Sequence, residues 1–186
     1  MPEVLKEKPI ATNDLYVRHK DRIDALMKKY ATRRAALLMI LWIIQEEDGW
    51  FSPKIMVQAA ELCECTPAQI NEVVSFYQMY NREPVGKYVL GVCGTLPCAL
   101  CGSDGLYEYL SEKLGVSYGE ISEDGLFTIQ RRECLGACSE SPVMLVNRKL
   151  ETRLTRKKVD AILDECRSGI REPYFTGRPV ADPSTN

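Results

Sequence analysis

Apolar residues recur at helical spacing through the first half of the chain. Ile23, Leu26, Met27 and Tyr30 stand at i, i+3, i+4 and i+7 and predict a helix over about Asp14 to Tyr30. The run Ala35 to Ile44 is apolar on every side, so it predicts a second helix at the centre of a bundle, capped by Thr32 and ending near Gly49. Ser52-Pro53 and Thr66-Pro67 each place a capping side chain before a proline at the first helical position, and Gln69 completes a capping box in the second case. Ile70, Val73, Val74 and Tyr77 form the buried stripe expected of that fourth helix.

The pattern changes at Asn81-Arg-Glu-Pro-Val-Gly86, where the helical period breaks. Tyr88 to Val92 reads as a short buried strand. Leu106, Tyr109, Leu110 and Leu114 mark a helix ending at Gly115, and Phe127 to Arg131 a strand with alternating faces. Val143–Asn147 and Leu150–Leu154 flank Arg148-Lys149 as a hairpin would, and Thr155 caps a last helix bearing Val159, Ile162, Leu163 and Cys166. This order predicts an α+β chain: a helical bundle, then a thioredoxin-like α/β sandwich. The expected limits are an N-terminal tail over 1–13, the bundle over 14–82, the sandwich over 83–169 and an extended tail over 170–186. That last stretch contains three prolines and no period.

Charge narrows the chemistry. Twenty-four basic and 26 acidic side chains give a formal net charge of -2, with no basic excess to neutralise nucleic-acid phosphates. The longest apolar run, ten residues, is about half of what a bilayer span requires. The N-terminus has neither a secretory core nor the acid-free composition of a transit peptide, so the expected location is intracellular. The one histidine, His19, lies in a polar stretch and reads as a surface residue. No GxGxxG or GxxxxGK[ST] is present to cradle a nucleotide phosphate.

Eight cysteines in an intracellular chain point to metal or redox chemistry before disulfides. Cys93-Gly-Thr-Leu-Pro-Cys98 and Cys134-Leu-Gly-Ala-Cys138 each follow a predicted strand end. If those strands run parallel, both loops emerge at one edge and four thiolates converge. Gly94, Gly102 and Gly136 allow close backbone approach and N–H groups aimed at sulfur. A Cys₄ site suits a 2Fe–2S cluster. Both spacings also fall within the range of zinc half-sites, and Cys98-Ala-Leu-Cys101 has the spacing of a dithiol oxidoreductase. The residues alone leave all three readings open. Cys63, Cys65 and Cys166 lie on helical patterns and read as structural thiols.

Asp48-Gly-Trp-Phe-Ser52, Thr66-Pro, Val74-Ser-Phe-Tyr-Gln-Met-Tyr80, Gly86-Lys-Tyr, the two cysteine pairs with Glu133 before the second, and Ser141-Pro-Val-Met together form a specific pattern. Over about Leu15 to Gly169 the chain resembles the small thioredoxin-like 2Fe–2S subunit of the NADH dehydrogenase module of respiratory complex I, the NADH-quinone oxidoreductase. The resemblance implies one 2Fe–2S cluster bound by Cys93, Cys98, Cys134 and Cys138. It implies a flavoprotein partner that holds FMN, NAD and a 4Fe–4S cluster, and other members of the peripheral arm beyond it. Its implied role is one-electron transfer within NADH:quinone oxidoreductase, without NADH turnover by the isolated chain. The implied location is the cytoplasmic face of the inner membrane, or the matrix side in mitochondria. Close relatives of that family serve NAD-linked hydrogenases and formate dehydrogenases. Cys101 departs from the family pattern and is expected to be a spare thiol at the start of the next helix. Arg131 and Arg132 are expected either to raise the cluster's potential or to face solvent, and Leu96 and Leu135 to shield it from water.

Overall fold

The structure, a computed structural model, describes residues 13–174. The tails expected over 1–13 and 170–186 lie outside the described residues, apart from Asn13 and Ile170 to Tyr174. The chain divides into two compact units between Glu83 and Pro84.

Among the described residues the first unit holds four helices: α1 (Asp14–Met27), α2 (Leu37–Asp48), α3 (Pro53–Leu62) and α4 (Pro67–Phe76). Capping chemistry sets their starts. Asn13, expected in the tail, caps α1 by accepting from the Tyr16 N–H. Ser52 caps α3, and Thr66 with Gln69 closes the capping box of α4. Thr32 accepts from the Ala35 N–H in a turn, so α2 begins only at Leu37. Gly49, at φ 78°, ends α2 in a conformation glycine adopts without steric cost. Leu15, Ile23, Ile40, Leu41, Ile44, Phe51, Leu62 and Ile70 fill the core. Each such side chain contributes about 1.5–3 kcal/mol on leaving water.

Three expectations change in this unit. The second helix is not buried all round: Leu38 and Met39 are exposed on one side. Tyr77 lies past the end of α4 and is also exposed. His19 is buried rather than superficial, at a point where α1 leaves helical geometry (φ -111°, ψ 16°), and its Nδ1 lies 3.2 Å from Glu47. Desolvation, against the pull of Glu47, holds its pKa below the usual histidine value. The reason for its burial is the far end of α2. Glu46, Glu47 and Asp48 crowd the negative end of that helix dipole; Arg18 and Arg22 of α1 compensate them, and His19 meets Glu47 through Nδ1.

The second unit carries a four-stranded mixed sheet in the order β2-β1-β3-β4, with β1 (Tyr88–Cys93), β2 (Phe127–Arg132), β3 (Met144–Val146) and β4 (Lys149–Glu151). β1 and β2 run parallel, in register from Tyr88–Phe127 to Cys93–Arg132, and the other pairs are antiparallel. A parallel pair requires a crossover. Here it contains α5 (Leu96–Leu100) and α6 (Ser103–Leu114). β1 is one of the two inner strands and is buried at all six positions. Tyr88, Leu90, Val92, Phe127, Ile129 and Met144 face Leu106 and Leu110 of α6 and Val159, Ile162 and Leu163 of α7 (Arg156–Arg167).

The hairpin turn falls one residue earlier than expected, at Asn147-Arg148, with Lys149 already in β4. Asn147 takes the left-handed conformation (φ 57°) that asparagine tolerates. Its side chain accepts from the Val89 N–H and donates to the Glu172 carbonyl. Ile170 to Tyr174 is strapped to the same unit: Arg171 pairs with Glu151 and Glu165, and the Tyr174 N–H donates to the Lys87 carbonyl.

Candidate metal centre

The parallel register decides where the cysteines go. Cys93 is the last residue of β1, opposite Arg132, and Cys134 follows Arg132 by two residues. Both cysteine loops therefore leave the sheet at the same end, side by side. The Gly94 N–H donates to the Arg132 carbonyl and the Cys93 N–H to the Val143 carbonyl, tying both flanks of the second loop to the first.

The first loop is not irregular. Pro97 lies in the first turn of the short helix α5, where no N–H partner is needed, and Cys98 lies within the helix. Cys93 and Cys98 are each 1% exposed and form a buried cluster with Val143, against which Leu135 and Ala137 pack. The second loop turns at Gly136, φ 75°, whose N–H lies 3.4 Å from the Cys134 sulfur. A single 3-10 turn, Cys138–Glu140, then leads into Ser141. Cys134 and Cys138 are exposed, with their sulfurs 3.9 Å apart. Two sulfurs on one tetrahedral metal at about 2.3 Å stand about 3.8 Å apart, so this pair has the spacing of two ligands to one ion.

Neighbouring groups shift two of the thiols, Cys93 and Cys138. Burial pushes the Cys93 thiol up, but the Thr95 hydroxyl, the Thr95 and Leu135 backbone N–H groups and Cys98 together hold it below its usual pKa. Cys138 is raised, by Cys134 first, then by burial and by Cys98 and Cys93. Across the loops, the Cys98 sulfur lies 3.3 Å from the Ser141 hydroxyl.

Of the three glycines expected to aim N–H groups at sulfur, Gly136 alone does so. The Gly94 N–H goes to Arg132 and the Gly102 N–H to Ala99. Arg131 pairs with Asp104, stacks over Tyr107 and packs its guanidinium on Gly94, beside the first loop. The Arg132 stem covers Gly91, and its desolvated guanidinium has a lowered pKa. Leu135 packs on the cysteine cluster, whereas Leu96 is 71% exposed and shields nothing. Cys101 is exposed at the C-cap of α5, before α6 begins. Cys63 caps α3 and Cys65 lies in the turn beyond it, so neither is on a helix as expected; Cys166 is, in α7. Burial raises Cys63 to about 12 and Cys166 to about 11.

Among the described residues no group of three or more His, Cys, Asp or Glu side chains gathers tightly enough to hold one metal ion. The thiols are arranged as two pairs. That donor set fits a two-iron cluster, which takes two thiolates at each iron. Sequence reasoning missed Thr95 and Ser141, the hydroxyls that touch Cys93 and Cys98.

A family model described as thioredoxin-like [2Fe-2S] ferredoxin matches residues 23–167. The chain belongs to that family. It is 41% identical over 155 residues to NADH-quinone oxidoreductase subunit 2 of Thermus thermophilus, covering 82% of this chain and 86% of that one. It is 36% identical over 160 residues to a NADH-quinone oxidoreductase subunit of Mycobacterium bovis, covering 85% of this chain and 64% of that protein. These relatives bear out the resemblance read from the motifs. Among solved structures, a NAD+-reducing [NiFe]-hydrogenase in the air-oxidized state aligns with a TM-score of 0.64 at 18% identity, over 73% of this chain and 23% of that one. At that identity the likeness shows the fold alone. The family's α+β fold, with N-terminal helices and a mixed sheet, agrees with the one expected. No helix among the described residues is long and apolar enough to cross a membrane.

Proposed function

We propose that this chain is the electron-transfer subunit of NADH:quinone oxidoreductase, complex I, with one 2Fe–2S cluster bound by Cys93, Cys98, Cys134 and Cys138. The observation that carries the reading is the delivery of two thiol pairs to one sheet end by the parallel strands β1 and β2. Membership of a 2Fe–2S family and the names of the Thermus and Mycobacterium relatives support it. A bound cluster accepts one electron and returns it. The chain's part is to exclude water from two ligand sulfurs through Val143 and Leu135 and to leave the other two open at the surface. In this reading 14–82 is a helical domain and 83–169 the cluster domain. The partner is a flavoprotein that binds FMN and NAD and carries a 4Fe–4S cluster, in a peripheral arm on the cytoplasmic or matrix side. The absence of a phosphate-binding loop from this sequence supports the assignment of NAD to the partner.

Anaerobically purified full-length chain is expected to contain two irons and two acid-labile sulfides per chain. One zinc without labile sulfide would sink the reading. The native protein is expected to co-purify with an FMN-containing flavoprotein. The isolated chain is expected to show no micromolar affinity for NADH.

A further inference from the structure

Thr95 stands at the N-cap of α5 with the extended backbone of a capping residue (φ -83°, ψ 162°), yet its side chain makes no capping bond. A threonine there ordinarily satisfies a free N–H of the first turn. Its hydroxyl instead lies 3.2 Å from the Cys93 sulfur. On the other side of the site, the Ser141 hydroxyl donates to the Cys138 carbonyl at 2.8 Å and lies 3.3 Å from the Cys98 sulfur. Both sulfurs belong to residues 1% exposed, so water is not at hand to replace either contact.

We propose that Thr95, and to a lesser degree Ser141, are positioning residues that raise the reduction potential of the cluster by donating hydroxyl hydrogen bonds to the buried ligand sulfurs of Cys93 and Cys98. The proposal rests on the ligand assignment above. In a free thiol either atom could be the donor. A sulfur bound to iron carries no proton, so the hydroxyl must donate. Reduction adds one electron from the reductant and moves no proton: each hydroxyl keeps its hydrogen and only strengthens its bond to a more negative sulfur. Hydrogen bonds to ligand sulfurs thus favour the reduced state. Thr95 gives its proton to Cys93 alone, whereas Ser141 divides one proton between Cys98 and the Cys138 carbonyl. The larger effect therefore belongs to Thr95.

The test is an EPR-monitored titration of the full-length chain with dithionite, with iron and sulfide measured on every sample. Thr95→Val is expected to shift the midpoint to lower potential at wild-type iron content, and Ser141→Ala to shift it less. Thr95→Ser is expected to restore the wild-type midpoint. Proton ENDOR of the reduced wild type is expected to show a strongly coupled exchangeable proton that Thr95→Val loses. An unchanged midpoint in Thr95→Val, or a lowered one that Thr95→Ser does not restore, would overturn the proposal. If Thr95→Val takes up no iron, the wild-type ENDOR decides: no strongly coupled exchangeable proton means no such bond. Wild-type chain without iron and sulfide would instead overturn the cluster reading, and this proposal with it.

Discussion

The two cysteine loops carry the same kind of side chain and have opposite surroundings. In the first, Cys93 ends a fully buried strand and Cys98 sits inside a proline-initiated helix, and both sulfurs are sealed by Val143. In the second, Cys134 and Cys138 lie in the open, shaped by Gly136 and one 3-10 turn. The difference divides two tasks. A buried thiol is part of the core, so the first pair is placed by folding itself. An exposed pair is placed mostly by local turn geometry, and in the proposed centre it is the side that an electron donor or acceptor can reach.

The comparison is broken most directly by making each loop polar without metal. Cys98→Ser puts a second hydroxyl beside Ser141 in a buried site and should destabilise the iron-free chain by about 1–3 kcal/mol. Cys134→Ser, in solvent, should stay within about 0.5 kcal/mol. Urea unfolding of the iron-free chains measures both, and equal losses would show that the second loop is as much a part of the core as the first. Val143→Ala sharpens the comparison, because Val143 touches the buried cysteines and precedes β3. Two lost methyl carbons should cost about 1.6 kcal/mol, with a higher cost if a cavity remains.

A buried thiol outside the site supplies the control. Cys63 is raised to about 12, whereas the unfolded thiol titrates near 9, so between those values the folded state holds the proton and the unfolded state has released it. Stability therefore falls as pH rises above about 9, and is full below it. By pH 10 the loss from this one group is about 1.4 kcal/mol, and Cys63→Ala should remove that share of the slope while leaving the similar share of Cys166. A pH-independent stability between 8 and 10 in the parent chain would contradict the burial seen here.

Capping made much of this legible from sequence. Ser52-Pro53 and Thr66-Pro67 act through their immediate neighbours, and α3 and α4 begin where they say. The parallel pairing of β1 and β2, only a condition in the sequence reading, is met in the structure, and it brings both cysteine loops to one end. The misses depend on distant partners. His19 looked superficial because its neighbours in sequence are charged; its burial comes from the acidic end of α2, about 28 residues on. Nothing in the sequence singles out Thr95, and only the fold shows its hydroxyl diverted from the cap to a sulfur. Leu96 was assigned a shielding role by proximity, but helix α5 turns it outward while Cys98, two residues on, turns in.

The central claim is that the two loops share one two-iron centre and that Cys101 has no part in it. Cys98→Ser and Cys101→Ser, prepared anaerobically beside the parent chain, test it through iron content and the EPR signal of the dithionite-reduced state. Cys101, exposed at the C-cap of α5, is expected to be dispensable: Cys101→Ser should match the parent in both. Cys98→Ser should lose the iron or change the signal strongly, because an alkoxide is a harder and poorer ligand than a thiolate for this centre. The reverse pattern, with Cys101→Ser losing the signal and Cys98→Ser keeping it, would contradict the account.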